Sequence, residues 1–300
     1  MIDLHTHSNI SDGELSPELL MKKAADQGLR AIALTDHDTI KGLDAAKAAA
    51  DALSIKFIPG IEFNINWTGG INAPGIGQGG EFHLLGLGIK SPTPAFLAAV
   101  ENLVRLREKR NLDIIDKMCE LSIIPADNKT DIDNILNELM IIAGGPSRGH
   151  LIGRPHFAAL LVNHKIVKNI DQAFKRYLGV GRPLYVPKEG LDFEEAVTLI
   201  RASGGIPVLA HPISLYVAWG RLPDLIKYLK DMGLMGLEAW HPTTKPGSCR
   251  RLEALAESLN LYVTEGSDFH GFLRPDRLLG YSSKGRTIGD SVLEAIPELN

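Results

Sequence analysis

Short apolar runs alternate with amphipathic stretches over residues 1–63. Met1 to Leu4 is apolar enough for a strand, and "SPELLMKKAADQG" follows with helical spacing, Ser16 as N-cap, Pro17 at the first helical position and Gly28 as the stop. "RAIALTD" reads as a buried strand, "GLDAAKAAADALS" as a helix and "KFIPGIEF" as a third strand. Strand and helix in alternation predict parallel pairing in an α/β fold. The rhythm then breaks at the Gly-rich stretch "NWTGGINAPGIGQGG", and "EFHLLGLGI" returns as a strand. From about Pro94 to Ser203 the pattern is helical: "FLAAVENLVRLREKRNLDIIDKMCEL", "DIDNILNELMIIAGG" and "DFEEAVTLIRASGG" lack strand alternation. After Gly205 the α/β rhythm resumes through "IPVLAHP", "LPDLIKYLKDMG", "MGLEAWHP", "SCRRLEALAESLN" and "LYVTEGSDFHG". The expected organisation is a discontinuous α/β domain, 1–93 with 204–300, carrying a mostly helical insert over 94–203.

Composition narrows the function classes. The 300 residues are 44% hydrophobic and 23% charged, enough for a substantial core. A formal net charge of -4 disfavours a broad footprint for long nucleic acid. Cys119 and Cys249 are the only cysteines, so neither a disulfide scaffold nor a thiolate metal site is expected. No basic segment followed by an apolar one opens the chain, and no apolar run reaches membrane-spanning length. A soluble cytoplasmic protein is the expectation.

Candidate chemistry collects where the predicted strands end. His5 and His7 end the first strand, and Asp36, His37 and Asp38 the second. Glu62 ends the third, His83 lies in the fourth, His211 follows "PVLA", and Asp268 and His270 follow "LYVTEG". In parallel α/β barrels that end of the strands carries the site. Side chains two apart on a strand share a face, so His5 with His7, and Asp268 with His270, point together. A single histidine is more often surface or satisfied core than a ligand. Six at strand ends, with carboxylates among them, point to metal. Imidazole mixed with carboxylate suits zinc, manganese or iron better than calcium. "GIGQGG" (Gly75 to Gly80) has the lettering of a dinucleotide loop, but a strand follows it rather than a helix, so that reading fails.

In order along the chain, "DLHTHSNISDG", "LTDHDT", "PGIEF", "FHLLG", "AHP" and "GSDFHG" resemble the successive motifs of the PHP (polymerase and histidinol phosphatase) superfamily. "GRPHFA", "YLGVGRPLYVP" and "LEAWHP" resemble its stand-alone bacterial phosphoesterases, which act on nucleoside 3',5'-bisphosphates. The resemblance implies a distorted seven-stranded (β/α) barrel, with residues 94–203 capping the substrate. It also implies two to three divalent metal ions (manganese, zinc or iron, with magnesium allowed). Carried onto this chain, His5, His7, Glu62 and Asp268 would hold the first ion. Glu62, His83 and His211 would hold the second, and Asp12, His37 and His270 the third. Asp12 stands where some relatives have histidine. Glu62, Asp268 and His211 are the expected catalytic residues, with metal-activated hydroxide as nucleophile. Three divalent ions bring about six positive charges against about three from Asp12, Glu62 and Asp268, leaving a positive pit in an acidic protein.

Substrate contacts are expected outside that shell. Arg148, Arg154, His156, Arg182 and Lys188 are candidates for a second phosphate, with Arg154 and His156 favoured, and His241 is a candidate beside the strand "LEAW". The Gly-rich loop is a candidate cover for the site. The implied partner is a small phosphorylated nucleotide or short oligonucleotide, with no membrane partner and a monomer expected. The implied reaction is removal of the 3'-phosphate from a nucleoside 3',5'-bisphosphate. A 5'-to-3' exoribonuclease on short RNA shares the chemistry, and a histidinol-phosphatase-like enzyme is a further alternative. An amidohydrolase or a non-catalytic metal-binding module would be a different class.

Overall fold

The computed structural model describes residues 1–67, 69, 75, 77, 80–124, 129–145, 152–187 and 189–300, with backbone alone at 129, 130 and 273. The chain divides into two compact units, Met1–Val100 with Gly190–Asn300, and Glu101–Glu189.

The first unit is built on one curled sheet. Strands β1 (Ile2–Asp3), β2 (Ala31–Leu34) and β3 (Lys56–Asn66) pair in parallel, with helices α1 (Pro17–Asp26) and α2 (Leu43–Ala52) between them. Ser16 caps α1 by accepting the Leu19 N–H, and Gly28 ends the turn at φ +74°, a left-handed conformation that costs glycine little. Strand β4 (His83–Leu87) follows, and α3 (Pro94–Glu120) leads away. The helices α4 (Lys129–Ile142), α5 (Arg154–Asn163) and α6 (Ile170–Ala173) come next. A short strand β5 (Leu191–Asp192), helix α7 (Phe193–Ala202) and strand β6 (Ile206–Leu209) then return to the sheet. The remaining elements are α8 (Leu222–Asp231), β7 (Gly236–Trp240), α9 (Pro246–Ser258), β8 (Tyr262–Glu265) and α10 (Ser291–Glu294).

The sheet runs β1-β2-β3-β4-β6-β7-β8, with β5 paired to β3 off that path. Its two outer strands meet beyond their ends. Thr6 bridges Phe269, the His7 N–H donates to the Phe269 carbonyl at 3.0 Å, and the Asp268 N–H donates to the His5 carbonyl at 2.8 Å. That seam makes the seven-stranded path a nearly closed barrel and joins two donor-bearing segments from opposite ends of the chain.

Three features differ from the sequence reading. Strand β4 is antiparallel to both β3 and β6. His83 therefore begins its strand, and the reversal brings that beginning to the end where the parallel strands finish. Glu62 does not end β3 but sits within it, opposite Leu85 of β4, because β3 runs on past Pro59, where its pairing with β2 stops. Finally, α7 belongs to the first unit. Its leading strand β5 extends the end of β3 (Ile65 opposite Leu191), and Phe193 packs on Phe82 with ring centroids 5.6 Å apart.

An apolar cluster of strand residues, among them Ile2, Leu4, Ala33, Ile58, Leu85, Leu87 and Val208, packs with Ile288, Leu293, Ile296 and Leu299 of the C-terminal segment. Leu299 lies beside Gly88, just past the end of β4, so this plug occupies the end of the barrel away from His83. The second unit has its own core, including Ile114, Met118, Leu139, Phe157, Leu161, Leu178 and Leu184.

Candidate metal centre

His5, His7, Asp12, His37, Glu62, His83, His211, Asp268 and His270 gather at the open end of the barrel. Glu62 is their hub. Its Oε2 lies 3.0 Å from His37 Nδ1, 3.1 Å from His7 Nε2 and 3.4 Å from His5 Nε2. Its Oε1 lies 2.9 Å from His83 Nδ1 and 3.1 Å from His211 Nε2. Asp268 Oδ1 stands 3.3 Å from His7 Nε2 and 3.6 Å from His5 Nε2, while those two nitrogens are 3.1 Å apart. Asp12 Oδ1 is 3.2 Å from His270 Nε2, and Asp12 Oδ2 is 4.0 Å from His37 Nε2. Three groups of donor atoms close enough to share an ion emerge: His5, His7 and Asp268; His37, Glu62 and His83; and His7, Asp12, His37 and His270.

The hydrogen-bond network assigns the tautomers, and these decide what the nitrogens offer. Ser214 Oγ donates to the Glu81 carbonyl, so it accepts from His211 Nδ1–H at 2.7 Å, leaving the His211 Nε2 lone pair free. Ser11 Oγ donates to Asp36 at 2.6 Å and so accepts from His7 Nδ1–H at 3.3 Å. His5 Nδ1–H donates to Glu238 Oε1 at 2.9 Å, and His270 Nδ1–H donates to the Asp268 carbonyl at 2.7 Å. Four Nε2 lone pairs thus converge, each fixed from behind by an oxygen, as ligating histidines are held. The Nε2 atoms of His5 and His7 face each other at 3.1 Å with carboxylate oxygens beside them, an arrangement satisfied by a bound cation or, without one, by a proton. The edges of a tetrahedron around an ion with bonds of about 2.1 Å measure roughly 3.4 Å, matching these separations. Among the described residues, the buried atoms Asp12 Oδ1, His37 Nδ1 and Glu62 Oε2 have no properly aligned hydrogen-bond partner. They approach neighbours closely but aim at common centres. The residues fit divalent cations.

Electrostatics agree. Burial opposes charge on His7, yet Asp268 and Glu62 outweigh it and hold the ring up to about 10. Burial likewise opposes ionisation of Glu62, but His37, His5 and His83 hold its carboxyl well below the usual range. His37 is pushed down to about 4, chiefly by burial. Without a cation the centre takes up protons instead, and metal binding must expel them. Below about pH 10 each ion seated on His7 releases a proton, so apparent metal affinity should fall about tenfold per pH unit on acidification for each proton displaced. Competition with a chelating dye between about pH 8.5 and 6.5 measures this. Affinity that does not change with pH would contradict the donor assignment.

Two donors sit on strained backbone. His211 has φ +26° and Asp268 φ +51°, conformations that cost a side-chain-bearing residue about 1–2 kcal/mol. The His211 N–H is held by Glu238 Oε2 at 2.7 Å, and the Asp268 N–H by the seam. Gly266 is required here, since a Cβ would lie 2.3 Å from His5 Cβ.

Several residues of this site were not picked out from sequence. Glu238 bonds both His5 and His211. Asp3 accepts from the N–H groups of Ser267 and Gly280 at 3.0 and 2.8 Å, and burial pushes its carboxyl up to about 6. Arg277 pairs with Asp268 Oδ2, which also lies 3.1 Å from His241 Nε2. Among the substrate candidates, His241 is buried, with Nδ1 2.8 Å from Thr243 Oγ1, and it supports Asp268. Arg154, His156 and Arg182 lie in the second unit, where His156 Nδ1 accepts the Gly153 N–H at 3.0 Å. Arg148 and Lys188 lie outside the described residues, as does much of the Gly-rich loop.

The profile of the PHP domain matches residues 3–178. The chain is 35% identical over 268 residues, 89% of each sequence, to a 5'-3' exoribonuclease of Haemophilus influenzae. The chain belongs to the PHP domain family. This PHP protein is also 31% identical over 269 residues to a 3',5'-nucleoside bisphosphate phosphatase of Chromobacterium violaceum, covering 90% of this chain and 87% of that one. A solved structure of an amidohydrolase from Chromobacterium violaceum, with bound sulfate and no metal, superposes with a TM-score of 0.76. It is 29% identical, and the match spans 98% of this chain and 96% of that one. Together these likenesses support a hydrolase of phosphoesters, and among the described residues no helix is long and apolar enough to cross a membrane.

Proposed function

We propose that this PHP protein removes the 3'-phosphate of small nucleotides such as nucleoside 3',5'-bisphosphates, with two to three divalent ions at the barrel mouth. The observation that carries the reading is the convergence of five histidine nitrogens, Nε2 of His5, His7 and His211 and Nδ1 of His37 and His83, on the two oxygens of Glu62. His5, His7, Glu62 and Asp268 would hold one ion, Glu62, His83 and His211 a second, and Asp12, His37 and His270 a third. Bound there, the ions would supply polarisation of phosphoryl oxygens and a lowered pKa for water. The chain's own groups do the rest. Glu62 divides its oxygens between two sets of histidines and fixes their separation. Arg277 and His241 hold Asp268 Oδ2 and so turn Oδ1 toward His5 and His7. His5 and His7 are fully buried while Asp12 is 43% exposed, so the substrate enters from the side of Asp12.

The second reading, a 5'-to-3' exoribonuclease on short RNA, is favoured by the likeness to the Haemophilus influenzae enzyme. The amidohydrolase reading is weaker, since it rests on the likeness to one solved structure, against two relatives that act on phosphoesters by name. A panel of adenosine 3',5'-bisphosphate, a 5'-phosphorylated dinucleotide, histidinol phosphate and an amide, each with added manganese, separates these readings. Phosphate release fastest from the bisphosphate is expected. Mononucleotide release from the dinucleotide alone would favour the second reading, and cleavage of only the amide would refute both.

A further inference from the structure

Asp268 Oδ2 receives two donors, and one is enough to aim it. The Thr243 N–H donates to His241 Nδ1 at 3.3 Å, so His241 Nε2–H donates to Asp268 Oδ2 at 3.1 Å. Arg277 adds a guanidinium to the same oxygen through Nη1, which also donates to the Asp268 carbonyl at 3.4 Å. Both bonds use Nη1 alone. Among the described residues, Nε–H is buried without an acceptor, and Nη2 has none either. The side chain is only 15% exposed. A buried donor left unpaired is costly, so this edge of the guanidinium is made for an acceptor that the chain itself does not supply.

The loop that carries Arg277 is fixed at the barrel mouth. Gly271 turns it at φ +77°. The Arg274 N–H then donates to the Gly271 carbonyl at 3.1 Å, and the Arg277 N–H to the Arg274 carbonyl at 3.0 Å. The Glu14 N–H donates to the His270 carbonyl at 3.1 Å, and the Phe272 N–H donates to Glu14 Oε2 at 2.8 Å. Glu14 stands two residues from Asp12, so the loop is tied to the side where the substrate enters. In a guanidinium, Nε–H and one N–H of Nη2 run parallel along one edge, spaced for two oxygens of a single phosphoryl group. Here that edge lies one guanidinium away from Asp268, a proposed ligand of the first ion.

We propose that Arg277 is a further catalytic residue, whose Nε–H and Nη2–H edge grips two non-bridging oxygens of the phosphoryl group under attack. This inference rests on the hydrolytic reading above. In the hydrolysis, water oxygen bonds to phosphorus, the ester P–O bond breaks, and one water proton ends on the leaving oxygen. Arg277 exchanges no proton; it offsets the charge on the oxygens it holds.

Arg277→Lys separates gripping the phosphoryl group from aiming Asp268. Lysine keeps a cation for Asp268 Oδ2 and removes the second edge. In the manganese-loaded full chain, kcat on adenosine 3',5'-bisphosphate is expected to fall about a hundredfold. Inorganic phosphate, titrated by calorimetry, is expected to bind about tenfold more weakly. Both deficits should persist at saturating manganese, whereas excess metal would rescue a residue that acts only through Asp268. Elemental analysis checks occupancy and circular dichroism checks folding. Arg277→Gln, measured in parallel, decides if Arg277→Lys does not fold. Wild-type kcat and phosphate affinity in a folded, metallated variant overturn the proposal, as does a deficit that excess manganese abolishes. If the wild-type chain releases nothing from the phosphoester panel, the hydrolytic reading fails instead. Phosphate binding then still decides for Arg277: weaker binding in the variants supports the grip, and equal binding, or none to the wild-type chain, overturns it.

Discussion

Glu62→Gln should leave a folded barrel that turns over no phosphoester and carries fewer metal ions. The carboxylate presents Oε2 to His5, His7 and His37 and Oε1 to His83 and His211, all within 3.4 Å. An amide keeps one weakly basic oxygen and turns an NH2 toward the other set of nitrogens, so one set loses its anionic partner. The neighbouring histidines that hold Glu62 charged lose their counter-charge together. Loss of a residue that merely supports a ligand costs about 10–100-fold in metal affinity, and loss of the hub should exceed that. A fall in kcat of about a thousandfold or more is expected. Elemental analysis of the purified variant, beside its activity on the bisphosphate, measures both. A fully metallated, active Glu62→Gln would refute the proposed centre.

The second large effect is expected at Glu238, which touches no proposed ion. Its Oε1 accepts from His5 Nδ1–H and its Oε2 from the His211 backbone N–H at 2.7 Å. Burial opposes its charge, but His5, His241 and His211 hold its carboxyl below the usual range. In Glu238→Gln the NH2 group must face one of two donors. Either His5 loses its orienting acceptor, or the strained turn at His211 loses its anchor. Metal affinity should drop about 10–100-fold, and the metal-free chain should lose about 1–3 kcal/mol of stability. Because the ligands themselves remain, excess metal should restore much of the rate, which separates Glu238→Gln from Glu62→Gln. Unchanged metal affinity would show that His5 is oriented by something else.

Glu238 lies outside the motif pattern of the sequence. The motif residues stand at strand ends, whereas Glu238 lies mid-strand in "GLEAW", fully buried among apolar neighbours. A lone glutamate inside a buried strand was itself the signal, because such a charge survives only when paired. Asp3 gave the same signal two residues before His5. Arg277 gave none: it lies outside regular structure, and only the folded chain shows it against Asp268. His5 with His7, and Asp268 with His270, were legible because period-two spacing and family-like motifs coincide there. The reversal of β4 was legible in principle. No helix-forming pattern separates Asn66 from His83, and parallel neighbours need a crossover of a dozen or more residues, usually a helix. The break in the α/β rhythm at the Gly-rich stretch is that cue.

The reversed strand also bears on how this barrel tolerates change. A parallel connection must travel the length of the sheet and back, so its length is constrained by packing. The segment from Asn66 to His83 leaves and re-enters at the same end of an antiparallel pair, whose register is set by five residue pairings from Gly60–Leu87 to Asn64–His83. Closing such a loop grows costlier only slowly with length. Foreign sequence grafted into this connection should therefore leave Glu62 and His83 where they are. Length and sequence can vary in this connection while the ligands on the strands that flank it stay fixed.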